Sequence, residues 1–445
     1  MDYRKDAFTR PQFLAALRLL FPAAAVRRAV ARNGRRTRDR VWPQWLLLWT
    51  LIGWFFQADW ALPAVARWFR PLARRPRTPS EPALCQARRR LGWKPVWWVR
   101  TRLVGWPAEP AKDPTAFYRG RRLVGMDATT FTVADTRANA RTFGRAGNQY
   151  RPSGYPLVRV AALCELGTHA LVRWVARSYR RGERTLFARL ARHVPAGSLL
   201  LGDRACHGYR LWEQARAGGF DLLLRVAKGV KLPVGRRLAD GSYLSTIRPR
   251  RCRANKGKRP ITVRVIEYEV RDGGKVTRGR LVTSLLTVAD GPARELAELY
   301  ARRWGQETAF GEVKGELAGR GTDLRAHRPR LVLQELDALL LGHYVVRGMI
   351  LAAARSAGAA PAGVSFTGAI RVIRARLGGR PATSAGYARW LADVVAEIAG
   401  LPRRGHRRRA YPRVRKAVRC PWRAKRPHHV QRKPKPLKRR LKIVR

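Results

Sequence analysis

Acidic side chains are scarce in this sequence, 29 Asp and Glu against 93 Lys and Arg, so an acid set in an apolar run asks for an explanation. Asp127 follows LVGM and Asp203 follows SLLLG, two runs of strand character. A carboxylate at the end of a buried strand is costly unless something cationic offsets it. For one aspartate a cap or an ion pair with an arginine is the better explanation; two at comparable strand positions favour a site. The third piece is the segment 292–319, where Tyr300, Arg303, Glu307 and Lys314 follow one another. At about 100° per residue of helix they project near ~0°, ~300°, ~340° and ~320°, a single narrow face, whereas Glu312 and Glu316 fall near ~120° and ~160°. Alone, that stripe reads equally well as a solvated charged face with an Arg303–Glu307 pair one turn apart. The two strand aspartates tip it toward a site.

Three carboxylates with two cations suit one kind of reaction. Two negative charges about 5 Å apart repel by roughly 3 kcal/mol at an effective dielectric near 20, so gathering three calls for divalent metal. Oxygen-only ligation by Asp127, Asp203 and Glu307 selects Mg2+, with Mn2+ as substitute, over zinc. Two such ions about 4 Å apart activate a water or a 3′-hydroxyl and stabilise the leaving oxygen of an in-line phosphodiester displacement. Arg303 and Lys314 are then placed to hold phosphate oxygens, and Tyr300 to orient or stack.

The whole chain agrees with a polyanionic substrate. Its 445 residues carry a formal charge of +64, which repels itself unless something anionic shares the surface. Double-stranded DNA is the expected partner. Apolar residues make up 46%, with 15 Trp, which excludes low-hydrophobicity disorder for most of the chain. The 5 cysteines are odd in number and form no C-x-x-C, so neither a disulfide framework nor a zinc ribbon fits. The start, MDYRKDAFTR, lacks a signal-peptide apolar run, and the longest apolar stretch, Trp45 to Phe56, is short of the ~20 residues that span a bilayer. A cytoplasmic, nucleoid-associated protein is expected, with no membrane partner.

The elements that must position these residues follow from pattern. Residues 1–105 read as a helical N-terminal domain: Phe13, Leu14, Leu17, Leu20 and Phe21 recur at helical spacing, and 41–56 is apolar nearly all round, as in a central buried helix. In 79–93, Ser80 is placed to cap a helix that ends at Gly92 and carries Arg88, Arg89 and Arg90. A Pro- and Gly-rich linker, 106–120, leads to strands. RRLVGMDATTFTVAD is one strand or two, PLVRVAALCEL and HALVRWVARS form a hairpin about Gly167, and helix then alternates with strand. That grammar predicts an α/β sheet over 121–227 and 288–356. A β-rich insertion, 228–287, interrupts it, with a hairpin turn at Asp272-Gly273-Gly274. A helical segment, 357–400, precedes a tail, 401–445, with Lys and Arg but no Asp or Glu. The tail is either disordered or ordered only against DNA.

The residues themselves resemble a known family, the DDE transposases of bacterial insertion sequences, and within it the insertion-element-four family. Its signature, Tyr, two residues, Arg, three residues, Glu, six residues, Lys, is met without a gap in LYARRWGQETAFGEVKGEL by Tyr300, Arg303, Glu307 and Lys314. LVGMDATTFTVADTRANARTFG is similar to the family's first aspartate block, LLLGDRACHGY to its second, and PSEPALCQARRRLG to the end of its N-terminal domain. The resemblance implies a ribonuclease-H-like catalytic domain with a β-rich insertion before the glutamate helix, and an all-α N-terminal domain tied to DNA-end binding and dimerisation. It implies cut-and-paste transposition by a dimer that pairs two transposon ends. It also implies two metals on Asp127, Asp203 and Glu307, and DNA contacts from Tyr300, Arg303 and Lys314.

Gln306 stands where relatives often carry an apolar residue, a change expected to affect helix packing and not chemistry, while Gly305 costs about 1 kcal/mol of helix propensity. Arg204 and His207 flank the second aspartate, where a surface or capping role is the better expectation. Two other readings remain: a catalytically inactive, transposase-derived DNA-binding or architectural protein, which the charge alone would satisfy, and a membrane anchor at 41–66, which Asp59 and Pro63 break.

Overall fold

The computed structural model describes residues 20–33, 42–57, 62–69, 78–147, 152–249, 256–272, 275–317, 323–376 and 384–402. Five helices come first: α1 (Ala23–Asn33), α2 (Gln44–Trp54), α3 (Leu62–Phe69), α4 (Glu81–Leu91) and α5 (Lys94–Leu103). A helix apolar all round has no face to give to water; accordingly Leu46 through Trp54 are buried, and α2 packs on α1, α3 and α4. The membrane-anchor reading of this stretch fails on that burial. Phe13, Leu14 and Leu17 lie outside the described residues. Ser80 occupies the N-cap of α4 but makes no side-chain capping bond. Pro82, next but one, has no N–H to offer, which removes one of the donors a cap satisfies. Gly92 ends the helix at φ +68°, as its lack of a Cβ permits.

The segment read as a linker is fastened. Its end forms β1 (Phe117–Tyr118) against β2 (Arg121–Val133), and Asp113 is bonded to Arg355 at 2.6 Å. After β2 come α6 (Arg137–Phe143), β3 (Arg145–Gly147), β4 (Pro152–Glu165), β5 (Ala170–Ser178), α7 (Glu183–Leu190), β6 (Ser198–Gly202), α8 (Tyr209–Gly218) and β7 (Asp221–Arg225). β2, β4 and β5 pair antiparallel, whereas β6 and β7 run parallel to β2, each reached through a helix. The expected early pairing of the second and third strands is what the chain forms.

Next come β8 (Tyr243–Ile247), β9 (Ile261–Asp272) and β10 (Lys275–Thr283). These strands from 228–287 do not form a sheet of their own. β10 pairs antiparallel with β7, so the strand order β5-β4-β2-β6-β7-β10-β9-β8 is continuous. The β9–β10 hairpin closes with Lys275 opposite Asp272; Gly273 and Gly274 lie outside the described residues.

The segment of the predicted glutamate helix is not one uniform helix. α9 (Ala293–Tyr300) passes through a tight 3-10 turn, Ala301–Arg303, into α10 (Trp304–Gly311), and the last turn, Glu312–Leu317, is a widened π turn. The strand β11 (Asp323–Leu324) joins the far end of β2, and α11 (Pro329–Ser356), α12 (Phe366–Arg376) and α13 (Ser384–Ala399) complete the described chain. α11 is long and apolar enough to cross a bilayer, with mean hydropathy 1.4, but 89% of that window is buried inside the protein. Its few polar residues are ties. Asp337 takes Arg100 of α5 at 2.9 Å and the Trp174 indole of β5 at 2.7 Å, and Gln334 accepts from Arg88 of α4 at 3.2 Å. All but two residues of the basic tail fall outside the described residues.

Candidate active site

β2 and β6 lie side by side in parallel, with Met126 the register partner of Gly202. The next residue after each is an aspartate, so Asp127 of β2 and Asp203, just beyond the end of β6, stand at neighbouring positions. Asp127 Oδ1 accepts from the N–H of Ala128 at 2.7 Å, and Asp203 Oδ1 from that of Ala205 at 2.8 Å. Burial, first, and then the charges of Asp203 and Glu307 push the Asp127 carboxyl up to about 6, against the pull of Ala128 and Arg303. Asp203 and Glu307 are thus both close enough to act on the Asp127 charge.

Side chains alternate along a strand, so Gly125, Asp127, Thr129 and Phe131 face one way. The glutamate helix lies over that face. Gly125 lets it approach: a Cβ there would stand 2.9 Å from the Oε1 of Gln306. Gln306, fully buried, also donates to the carbonyl of Ala162, the residue opposite Asp127 on β4, at 3.4 Å. Gly305 gives up helix propensity for a comparable reason, since a Cβ there would meet the His169 ring at 2.9 Å. Glu307 then projects toward the aspartates, and its Oε1 is bonded to Arg303 at 2.7 Å, the i,i+4 pair the sequence offered.

The other signature residues are engaged by protein. Lys314 Nζ donates to Thr129 Oγ1 at 2.6 Å and sits 5.2 Å from the Phe131 ring, on the Asp127 face of β2. Tyr300 is only 8% exposed, and its hydroxyl donates to the carbonyl of Gly202 at 3.2 Å. The Arg303 guanidinium lies 5.8 Å from the Tyr300 ring and 5.4 Å from that of Trp304, which is 62% exposed. His207, packed edge-on against Trp212, is driven by burial down to about 4, so it is neutral near pH 7 and offers DNA no charge. Arg204 is exposed. It helps to line a cavity of about 610 Å3 with Arg225, Lys228, Arg278 and Arg280, and with the acids Glu267 and Glu269.

The donor set of Asp127, Asp203 and Glu307 is all oxygen and anionic, the chemistry of a hard divalent cation. The raised Asp127 carboxyl owes most to its burial and then to the charges of Asp203 and Glu307, a setting a bound cation would relieve. As they stand, however, no three His, Cys, Asp or Glu side chains among the described residues are drawn together closely enough to hold a metal ion. Like charges resist convergence, and Glu307 has a nearer cation in Arg303.

Sequence reasoning set Glu312 on the opposite face without saying what it meets. It is buried against Arg347 at 3.0 Å and His343 at 3.0 Å, both on α11, and Arg347 reaches His169 of the β4–β5 turn at 3.2 Å. The signal was present: His343 and Arg347 are one turn apart in a mostly apolar stretch of α11.

The matches to known proteins cover both halves of the chain. Residues 118–343 match the family model described as a transposase DDE domain, and residues 11–100 one described as the insertion element 4 transposase N-terminal domain. Transposase InsG for insertion sequence element IS4, from Escherichia coli, is 27% identical over 437 residues, covering 94% of this chain and 95% of the relative. Putative transposase InsZ of the same organism is 30% identical over 125 residues, covering 27% of this chain and 41% of the relative. Among solved structures, a piggyBac transposase in a synaptic complex with hairpin DNA covers 89% of this chain at 11% identity and a TM-score of 0.45.

Proposed function

Because this chain belongs to the family of transposases with a DDE domain, we propose that Asp127, Asp203 and Glu307 are its three catalytic acids and that they hold two Mg2+ ions, which Mn2+ can replace. The fold is ribonuclease-H-like, and the protein is a DDE transposase that binds transposon-end DNA and catalyses phosphodiester cleavage and strand transfer. The observation that supports the site most strongly is the parallel register of Met126 with Gly202, which makes neighbours of two aspartates 76 positions apart in sequence (203 − 127). When bound, the divalent ions supply charge neutralisation and activation of the attacking water or 3′-hydroxyl.

The chain's own residues do the rest. Asp127 of β2 and Asp203, just past the end of β6, would hold the ions, with Glu307 completing the donor set from the helix in place of its pairing with Arg303. The Arg303 guanidinium would then be free to hold a phosphate oxygen through its planar fork of N–H donors. Lys314 holds a second phosphate oxygen. The cations around the cavity that Arg204 lines lead the DNA backbone to the site, and the exposed Arg89 and Arg90 of α4 supply a second contact surface. We assign the N-terminal helices to transposon-end binding and the pairing of two protomers in the synaptic complex. The strands of 228–287 and helices of 357–400 are the insertion and C-terminal segments of the same catalytic unit. Its work is on DNA in the cytoplasm, in association with the nucleoid.

The test is metal-dependent nicking of supercoiled DNA and end cleavage by wild type, Asp127→Ala and Glu307→Ala. Loss of cleavage in both variants with DNA binding retained is expected; equal activity in variant and wild type would end the catalytic assignment.

A further inference from the structure

We infer that the π turn Glu312–Leu317 is a positioning device for Lys314, held open by Arg347 of α11 and Arg374 of α12. The inference rests on the reading of Lys314 as a phosphate contact and deepens it. A π turn is rare within an α-helical segment, since it closes its hydrogen bonds one residue further along, from i to i+5. Contacts from outside the helix are what can hold it.

Two arginines from different elements supply them. Glu312 opens the turn, and its carboxylate takes Arg347 Nε at 3.0 Å and the His343 ring at 3.0 Å. Arg347 is itself buried, bonded to His169 at 3.2 Å and set 5.1 Å from the Phe366 ring. Near the far end of the turn, Arg374 Nη2 donates to the Glu316 carbonyl at 3.3 Å, while its Nε donates to the carbonyl of Phe56, just beyond α2. Val313 and Leu317 are fully buried. The turn is thus gripped by a side chain, by a carbonyl and by apolar packing. Between the two ties, Lys314 leaves it toward β2, with Nζ on Thr129 Oγ1 at 2.6 Å, two residues from Asp127.

In a regular α-helix Glu307 and Lys314 would project about 20° apart. A widened turn advances through a smaller angle per residue, so it rotates Lys314 relative to Glu307, which precedes the turn and is not moved by it. The ammonium is thereby set along β2 independently of the acid. The C-terminal segment 357–400 gains a part in the chemistry, because α12 carries Arg374.

The experiment measures single-turnover nicking of supercoiled DNA at saturating Mg2+ by full-length chains, each checked by a denaturant melt. Glu312→Leu with Arg347→Met replaces the ion pair by apolar groups of similar volume, a change that need not cost stability. Arg374→Met removes the second tie. Each should melt near wild type yet slow nicking about 10²-fold, the cost of a misplacement on the order of 1 Å. Each is repeated in a Lys314→Ala background, where it should slow nicking no further, because the group it places is gone. Slowing by the same factor in both backgrounds, or wild-type nicking by both variants, overturns the inference. Should the double variant melt early, Arg374→Met alone carries the comparison. If Lys314→Ala itself nicks as wild type does, the phosphate reading of Lys314 falls and takes the inference with it, on evidence that involves neither arginine.

Discussion

Arg303 Nη2 lies 2.7 Å from Glu307 Oε1, one helical turn away, with the arginine side chain 11% and the glutamate 38% exposed. The two residues are therefore rivals as well as partners, since a divalent cation and the guanidinium want the same carboxylate oxygen. Arg303→Ala should bind Mn2+ more tightly than wild type, yet cleave DNA about 10²–10³-fold more slowly for want of a charge-stabilising donor. Opposite signs in a metal titration and a cleavage assay on one variant are the expected result. Weaker Mn2+ binding would show that Arg303 builds the site and does not compete for it.

The buried Asp127 makes stability depend on pH in an unusual direction for an acid. Its carboxyl sits at about 6 in the folded chain, against 3.8 as its ordinary value. Well below pH 4 the group is protonated in both states and costs nothing; between about 4 and 6 the unfolded chain ionises while the folded one keeps its proton, so stability falls, and the loss is complete above about 6. Asp127→Asn should therefore melt with wild type well below pH 4 and above it at pH 7.5, in buffer free of divalent ions. A constant difference across that range would dismiss the idea.

Glu312 works the other way. Burial alone would raise its carboxyl, but Arg347 and then His343 pull it down to about 2, below its ordinary 4.5. The stability it contributes is present above about pH 4.5 and fades as pH falls toward 2. Removing one partner strands the other: Glu312→Ala leaves Arg347 buried without its acid and should cost about 3–5 kcal/mol in a denaturant titration. Glu312→Ala with Arg347→Met should recover much of that loss.

The basic tail is tested by salt. If residues 401–445 engage about six phosphates, log affinity falls with log salt at a slope near −5. Deleting them should flatten that slope markedly while metal-dependent cleavage persists. A slope that does not move assigns the charge of the tail to something other than DNA.

How far the sequence alone reached can be seen residue by residue. Asp127 and Asp203 stood out because a charge interrupts an apolar strand, and their adjacency needed only a parallel sheet. Glu307 stood out because a helix repeats every 3.6 residues. The fates of Tyr300 and Lys314 were not legible. Only the packing of the helix on β2 and β6 reveals their contacts without DNA, Tyr300 on the Gly202 carbonyl and Lys314 on Thr129. Local pattern marked 228–287 as a β-rich insertion but could not show that its strand β10 joins the edge of β7, because which edge a new strand joins is decided by the sheet, not by the strand. The capping expected of Ser80 failed through its neighbour Pro82, a competition that composition does not display.

The ties on α11 carry a practical consequence for anyone dissecting the molecule. Cutting the chain near residue 105 to isolate a nuclease fragment would strip Asp337 of Arg100 and Gln334 of Arg88, and would bare the apolar flank of a long helix. Such a fragment would be recovered as an aggregate. The N-terminal helices thus serve as a lid on the interior of the other half.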